Sequence, residues 1–418
     1  MAPPSAVEAP APGTPPTLRW RYLLVTAVPY HQGADGRVLV DRLWQHDLTA
    51  HLAYLPDFTL AAPRVAEPAP GWVPVEVPAG ARLSTCALPE MRGARDALVR
   101  LPRLVAALWR GVRRAELVHS GVAGWPFPPA WVANPMALAL GRRLFLVVES
   151  APWRLEGRAR TGFRARLRAA VSEWLARFFV NRAGLVLVTQ PEYRAQLFTR
   201  GRGTCLVAPA VWIDDGDVLS RAAAEGAWAE RRAGPLRVLF ASRLVAGKGV
   251  RVLLEALRVL EARGAELEVT VLGEGPEAAA VEQAARELRH VQLWLEAPVA
   301  YGPSFFARVD AHHVVVVPNL GDEQPRIVFD AFARALPVVA SETAGLAPHV
   351  HPGENGWLVP PGDAAALAEA LDTCRANRAA LETRGLAGLR SVARHTHRAM
   401  HAQRAHLLAE TFGAGPAA

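Results

Sequence analysis

The chain has 418 residues, of which 51% are hydrophobic and 21% charged, and this composition indicates a globular protein long enough for two domains. Its formal net charge is +8 at pH 7, but no nucleic-acid-binding motif accompanies the basic residues, which argues against a nucleic-acid partner. Three widely spaced cysteines lack metal-ligand spacing, so we expect reduced structural thiols and no metal site. The sequence has no run of about 18 apolar residues and no basic-then-apolar leader. We therefore expect a cytoplasmic protein, with peripheral contact to the inner membrane face left open.

Residues 18–213 contain short apolar runs separated by helical segments, which predicts a Rossmann-like domain with a parallel sheet. Its first strand, Tyr22–Val28, leads into a turn-rich loop at Pro29–Gly36, where Gly33 and Gly36 permit close backbone approach. An ordinary turn explains these glycines equally well. The further predicted elements are a helix near Val40–Leu52 and strands at Asp57–Ala62, Trp72–Val77, Glu116–His119, Leu144–Val148, Leu185–Thr189 and Leu206–Ala208.

Two helical segments of this domain have arginine-rich polar faces. At about 100° per residue, Met91–Arg114 places its arginines opposite its leucines and valines, and Pro102 is expected to break or restart the helix. Gly162–Arg182 mixes arginines with Trp174 and two phenylalanines. Such faces suit anionic lipid or an anionic acceptor. Because the chain uses arginine almost everywhere, we favour ordinary helices that pack on the sheet and turn arginines to solvent.

Two polar residues stand at strand ends in this domain. Glu149 follows the strand Leu144–Val148, and in an open α/β sheet the carboxyl ends of the strands are where ligands bind. Glu149 is therefore a candidate for contacting an acceptor. His119 also ends a strand, but a core histidine is at least as good an explanation.

A second Rossmann-like domain is predicted over residues 236–374, starting with the strand Leu236–Ala241. The loop after that strand contains Arg243 and Lys248, and Lys248 is the only lysine among the 47 basic residues. Two cations in a glycine-containing loop between a strand and a helix suit a diphosphate. After the strand Leu267–Leu272 comes a glycine-rich turn.

The segment Val314–Ser341 predicts a strand, a helix and a second strand. Asp322 and Asp330 lie eight residues apart, one in the loop and one about two turns into the helix, so both carboxylates can face one cleft. A helix cap and a solvated helix face are the alternative. The helix N-terminus near Pro325, Arg326 and Ile327 offers free N–H groups to an anion.

These motifs resemble those of the family 4 retaining glycosyltransferases, strongly over residues 236–372 and in outline over 20–210. Members carry an acid pair at the spacing of Asp322 and Asp330, followed by small residues and a Pro-Val-Val strand. The resemblance implies the GT-B fold, an α/β architecture of two Rossmann-like, doubly wound parallel-sheet domains that face a central cleft. This chain departs from the family where both acids are aspartate rather than glutamate, where Glu323 and Ala335 replace glycines, and where Glu149 replaces a histidine.

The resemblance also implies roles for individual residues. Arg243 and Lys248 would stabilise the departing nucleoside diphosphate in place of a metal ion, with Asp322 at the donor sugar and Asp330 at the nucleotide ribose. His119 and Glu149 would lie near the reacting sugar. The donor is further expected to contact Gly273, Gly275, Glu323, Pro325, Arg326 and Ile327, and the loop with Gly33 and Gly36 would reach the acceptor and the donor phosphates.

The remaining ranges complete the domain organisation. Residues 1–17 are predicted to be a disordered lead-in, 214–235 an interdomain linker, and 375–418 helices that brace the first domain. We expect a metal-independent retaining hexosyltransferase without a cofactor, which uses a nucleoside-diphosphate sugar and a glycan, lipid-linked or small-molecule acceptor, as in polysaccharide biosynthesis. The alternatives are a non-catalytic nucleotide-sugar-binding protein and a nucleotide-sugar epimerase of the same fold.

Overall fold

The computed structural model describes residues 15–124, 127–154, 162–231 and 234–416. Most of the predicted lead-in and two residues of the predicted linker therefore lie outside the described residues. The chain forms two compact units, one of residues up to 208 together with 398–418 and one of residues 209–397. The first domain is thus discontinuous in sequence.

The first unit is built on a sheet of ten strands in the order β10-β9-β8-β7-β1-β4-β2-β3-β5, with β6 beside β4. The strands from β10 to β4 and β6 are all parallel to their neighbours. Helices cover both faces of this sheet, and each face has its own apolar core. The elements are β1 Tyr22–Val25, β2 Tyr30–Gln32, β3 Val38–Val40, α1 Arg42–Tyr54, β4 Asp57–Val65, β5 Val73–Pro74, β6 Arg82–Leu88, α2 Ala94–Arg114, β7 Leu117–Ser120, α3 Ala130–Ala139, β8 Arg143–Val148, α4 Phe163–Val180, β9 Leu185–Val188, α5 Pro191–Leu197 and β10 Thr204–Val207.

The second unit has an entirely parallel six-stranded sheet in the order β13-β12-β11-β14-β15-β16. Strand β14 is a fully buried run of four valines, β15 is also fully buried, and β11 is buried at four of its six positions, as expected for a parallel sheet covered on both faces. The elements are α6 Arg221–Arg231, β11 Leu236–Ala241, α7 Val250–Ala262, β12 Leu267–Leu272, α8 Ala278–Glu287, β13 Val291–Glu296, α9 Pro303–Asp310, β14 Val314–Val317, α10 Ile327–Ala333, β15 Val338–Ser341, β16 Gly356–Val359, α11 Ala364–Ala376 and α12 Arg378–Val392, followed by α13 His397–Phe412.

The segment after the first strand differs from the prediction of a loop that leads directly into a helix. Instead of a simple strand-to-helix loop, it forms β2 and the turn of an antiparallel hairpin with β3. Gly33 donates its N–H to Arg37 O at 3.0 Å, and Gly36 takes a φ of +80°, which glycine adopts without steric cost. These two glycines therefore serve the hairpin turn, and their contact with the acceptor or the donor phosphates stays a prediction.

Pro102 does not break the second helix, since α2 runs without interruption from Ala94 to Arg114. Proline removes one backbone donor, but Pro102 is exposed, so the carbonyl that loses its partner can bind water. Leu104, Leu108 and Val112 on the opposite face are buried in the core against the sheet and hold the helix in place.

The segment predicted as a linker contains α6 and belongs to the second unit. Trp228 on α6 is buried, and its indole Nε1 donates to Ala335 O at 2.9 Å. Leu219 N also donates to Ala333 O at 2.9 Å. The composition of the segment is polar, but a few apolar residues are enough to attach it to the domain.

A buried cluster of polar side chains joins α13 to the core of the first unit. His401 Nε2 donates to Asp47 Oδ1 at 3.1 Å, and the Arg404 guanidinium lies 2.8 Å from His51 Nε2. All four side chains are buried. Of the helices in the described ranges, none is both long and apolar enough to span a membrane.

Candidate functional site

The strand order of the second unit defines where a ligand is expected to bind. The chain adds β12 and β13 on one side of β11, and β14, β15 and β16 on the other. The crevice at such a reversal, at the carboxyl ends of the strands, is the usual ligand site of doubly wound sheets. The loops that leave β11 and β14 at this point carry Lys248 and Glu323 respectively.

These two loops are held together by their backbones. Gly249 has a φ of +72°, and a Cβ at this position would lie 1.8 Å from Pro318 O. Leu320 N donates to Gly247 O at 2.9 Å. Only glycine allows this approach, so the loop of Lys248 and the loop of Asp322 form one rigid surface.

The cation of Lys248 is paired within this surface. Its Nζ lies 2.6 Å from Glu323 Oε1, and the lysine side chain is only 12% exposed. The backbone of Glu323 is itself fixed, because its carbonyl oxygen would be 2.1 Å from a Cβ at Gly345. Arg243, the other predicted cation, is exposed at the start of the same loop as Lys248.

Gly273 and Gly275, predicted to contact the donor, pack against the loop that carries Arg243. A Cβ on Gly273 would meet Ser242 O at 2.0 Å, and one on Gly275 would meet Leu244 O at 2.5 Å. Leu244 N donates to the carbonyl of Glu274 between them at 2.8 Å. Their observed role is to let two loops approach closely, and a donor contact remains a prediction.

Of the two predicted acids, Asp322 is half-buried in the loop and Asp330 is buried on α10. The solvated-face alternative is therefore wrong for Asp330, which is only 4% exposed. Tyr301 donates its hydroxyl to Asp330 Oδ1 at 2.7 Å. Burial raises the pKa of Asp330 to about 7, although the hydrogen bond from Tyr301 and the cation of Arg326 oppose this shift.

The residues that open α10 are engaged with the start of the second unit. The Gln324 amide makes a pair of hydrogen bonds with the backbone of Ala210, at 3.0 and 3.1 Å. Arg326 lies over the ring of Trp212 at 5.1 Å, and Pro325 before it is buried. The helix that starts at Ile327 has only seven residues and no side-chain cap. Its N-terminus alone is therefore a weak anion site.

The two candidates of the first unit have different environments. His119 is buried, its Nδ1 lies 2.6 Å from Tyr22 Oη, and its ring stacks on Phe145 with centroids 4.4 Å apart. Burial, together with the nearby Arg404 and His51, lowers the pKa of His119 well below its usual value. These contacts are those of a neutral core histidine. Glu149 is exposed directly after β8, as predicted.

Three contacts of the second unit were not predicted. They are the ion pair between Lys248 and Glu323, the hydrogen bond from Tyr301 to Asp330, and the position of Arg326 over Trp212. Each joins residues that are distant in sequence, so no local pattern announces it. The only local signals that this loop differs from the resembled family were its departures at two neighbouring positions, Asp322 for a glutamate and Glu323 for a glycine.

Comparison with known proteins gives a family match for the second unit. Residues 235–377 match the family model described as "Glycosyl transferases group 1". The chain is 34% identical over 148 residues to the amylovoran biosynthesis glycosyltransferase AmsK of Erwinia amylovora, which is 33% of this chain and 35% of that protein. It is 33% identical over 149 residues to a phosphatidyl-myo-inositol mannosyltransferase of Mycobacterium leprae, and the matched residues make up 35% of this chain and 39% of that protein. The matches therefore span little more than a third of these relatives.

Solved structures match over nearly the whole chain. Sucrose-phosphate synthase from Thermosynechococcus elongatus has a TM-score of 0.70 at 19% identity, covering 94% of this chain and 99% of that one. Anabaena Alr3699/HepE in complex with UDP-glucose has a TM-score of 0.64 at 17% identity, covering 94% and 100%. The prediction of an α/β GT-B fold is confirmed. Assignment to family 4 and retention of configuration stay predictions.

Proposed function

We propose that the protein is a glycosyltransferase that moves a sugar from a nucleoside-diphosphate sugar to a glycan, lipid-linked or small-molecule acceptor. The observation that carries the proposal is the surface formed by the loops after β11 and β14, which holds Lys248 at the reversal point of the second sheet. The match of residues 235–377 to group 1 glycosyl transferases supports it. Among the similar structures, the Anabaena protein was solved with UDP-glucose.

The proposed chemistry rests on charge. As the bond between sugar and diphosphate breaks, negative charge grows on the leaving oxygens, and Lys248 and Arg243 stabilise it without a metal ion. Cations fixed before the reaction contribute more than mobile ones because they need no reorganisation. Asp322 contacts the donor sugar, Asp330 lies on the ribose side, and Glu149 contacts the acceptor. Transfer with retention of configuration is part of the same proposal.

A surface of the first unit suggests where the acceptor is presented. Helices α2 and α4 bury residues in the same core, so they cover the same face of the sheet. Contrary to the expected polar outer faces, they expose large apolar side chains, with Leu98 73%, Val99 74%, Phe163 79% and Trp174 62% exposed. Arginines lie among them along both helices. We propose that this surface docks on anionic lipid, since apolar insertion combined with cations suits such membranes.

The proposed donor site is tested by thermal unfolding with UDP, GDP, ADP and TDP and their sugars, in EDTA and in magnesium. A ligand present at about 100 times its Kd adds about 2.7 kcal/mol to stability, which is readily measured. We expect one nucleotide to stabilise the protein equally with and without metal, and Lys248→Ala to lose this shift. Arg263→Ala is the matched control, because Arg263 is an exposed cation of the same unit that pairs with Glu369.

The reaction products separate the alternatives. A transferase releases nucleoside diphosphate when acceptor is supplied and does so slowly by hydrolysis without it. An epimerase changes the sugar and releases no nucleoside diphosphate. Tight nucleotide binding with no turnover of any donor supports the non-catalytic alternative, whereas the absence of binding to every nucleotide contradicts the proposal.

A further inference from the structure

We propose that Glu323 is an internal competitor of the diphosphate, occupying the ammonium of Lys248 and promoting release of the nucleoside-diphosphate product. This inference rests on the donor site proposed above. Its basis is the 2.6 Å ion pair between Lys248 Nζ and Glu323 Oε1, located on the surface where the phosphates are expected. The carboxylate thus stands where a phosphate oxygen would stand.

Because the ion pair between Lys248 and Glu323 is partly buried, it affects the binding of an anionic ligand. The side chain of Lys248 is 12% exposed and that of Glu323 is 30% exposed, so the ammonium is largely shielded from water. A shielded cation needs a counter-charge, and in this structure Glu323 supplies it. An arriving phosphate brings a second anion to the same ammonium. The carboxylate must then move away or repel the phosphate.

The backbone limits how far the carboxylate can retreat. Gly249 locks the loop of Lys248 against Pro318, and the carbonyl of Glu323 is pressed onto Gly345. Neither loop can shift as a whole without breaking these contacts. Only rotation of the Glu323 side chain relieves the repulsion, so binding carries an electrostatic cost that a glycine at this position would not impose.

The electrostatic cost that Glu323 adds to ligand binding depends on the charge of the ligand. A free nucleoside diphosphate carries more negative charge on its terminal phosphate than the same nucleotide bonded to a sugar, so Glu323 repels the product more than the donor. Glu323 therefore favours donor over product at the site. An uncharged nucleoside does not experience this discrimination.

The test measures dissociation constants by calorimetry for wild type and Glu323→Gln. The probes are the nucleoside diphosphate that stabilises the protein most, its sugar conjugate, the nucleoside and inorganic pyrophosphate. Glutamine keeps the size and an acceptor oxygen for Lys248 but removes the charge. We expect Glu323→Gln to bind the diphosphate about tenfold more tightly, the sugar conjugate with a smaller gain, and the nucleoside unchanged.

Two further variants identify the cause. Glu369→Gln is the matched control, because Glu369 pairs with Arg263 at the same 2.6 Å distance but on an exposed surface, and it should change no affinity. Glu323→Ala should reproduce the gain, which guards against an effect peculiar to glutamine.

The outcomes separate the two proposals. Equal affinities of wild type and Glu323→Gln for the diphosphate overturn the competitor role and leave the donor site intact. A gain that is the same for the diphosphate and the uncharged nucleoside also overturns it, since the effect is then not electrostatic. If neither protein binds any nucleotide or pyrophosphate, the proposed donor site fails together with this inference.

Discussion

Replacing Asp330 by asparagine tests how burial acts on the acid of α10. In the folded protein the pKa of this carboxyl is raised from 3.8 to about 7, so the folded state binds the proton more tightly than the unfolded state does. Folding stability therefore falls as pH rises from about 4 to about 7, and above that range the loss stays constant. Three pKa units correspond to a ceiling of about 4 kcal/mol. Asparagine is nearly isosteric, does not titrate, and can still accept the Tyr301 hydroxyl.

The assay is urea unfolding of wild type and Asp330→Asn at pH 5 and pH 8. We expect the stability of the variant relative to wild type to increase by roughly 2–3 kcal/mol between these pH values, because most of the wild-type loss falls in this interval. The exposed Glu369→Gln serves as control and should differ from wild type by a similar amount at both. A constant difference between Asp330→Asn and wild type would contradict the raised pKa of Asp330, since the folded and unfolded states would then bind the same number of protons between pH 5 and pH 8.

Two further predictions concern the loops and the apolar surface. Gly249→Ala forces a Cβ against Pro318 O, so it should lower the free energy of unfolding by about 2–4 kcal/mol and abolish the nucleotide-induced shift in melting temperature. The control is Gly247→Ala, whose added Cβ meets no atom within 4 Å and which should have little effect. Equal melting temperatures of the two variants would contradict the close approach of the loops. Trp174→Glu should reduce flotation of the protein with anionic vesicles at least severalfold. The control is Trp294→Glu, which changes an exposed tryptophan of the second unit and should leave flotation unchanged. Equal binding of the two variants, or equal binding to anionic and neutral vesicles, would contradict the proposed lipid-binding surface.

The architecture of the second unit was predictable because its signals are local. A parallel sheet buried on both faces produces runs such as Val314–Val317, and glycine and proline mark the turns between strands and helices. The loop of Lys248 and the loop of Asp322 follow directly from these boundaries. What the pattern could not supply is the partner of each side chain, because Lys248 meets Glu323 only when β11 and β14 become neighbours.

The first unit was predicted less well for three physical reasons. The short strands β2 and β3 form a hairpin whose sequence reads as a loop, since half of its residues are polar and three strand residues give no clear alternation. Strand β6 is an edge strand with mostly half-buried side chains, so it lacks an apolar run. His119 illustrates the third reason, since only tertiary contacts distinguish a core histidine from one at a reactive site.

The buried cluster that joins α13 to the first unit has a consequence for synthesis of the chain. Asp47 and His51 contact each other within α1, with His51 Nδ1 3.1 Å from Asp47 Oδ2, but their contacts with His401 and Arg404 form only after the whole of the second unit has been made. At about 5–20 residues per second, the roughly 190 intervening residues take on the order of 10–40 seconds to translate. The N-terminal unit, although made first, is therefore completed last, and during this interval its polar core is open to chaperones and proteases.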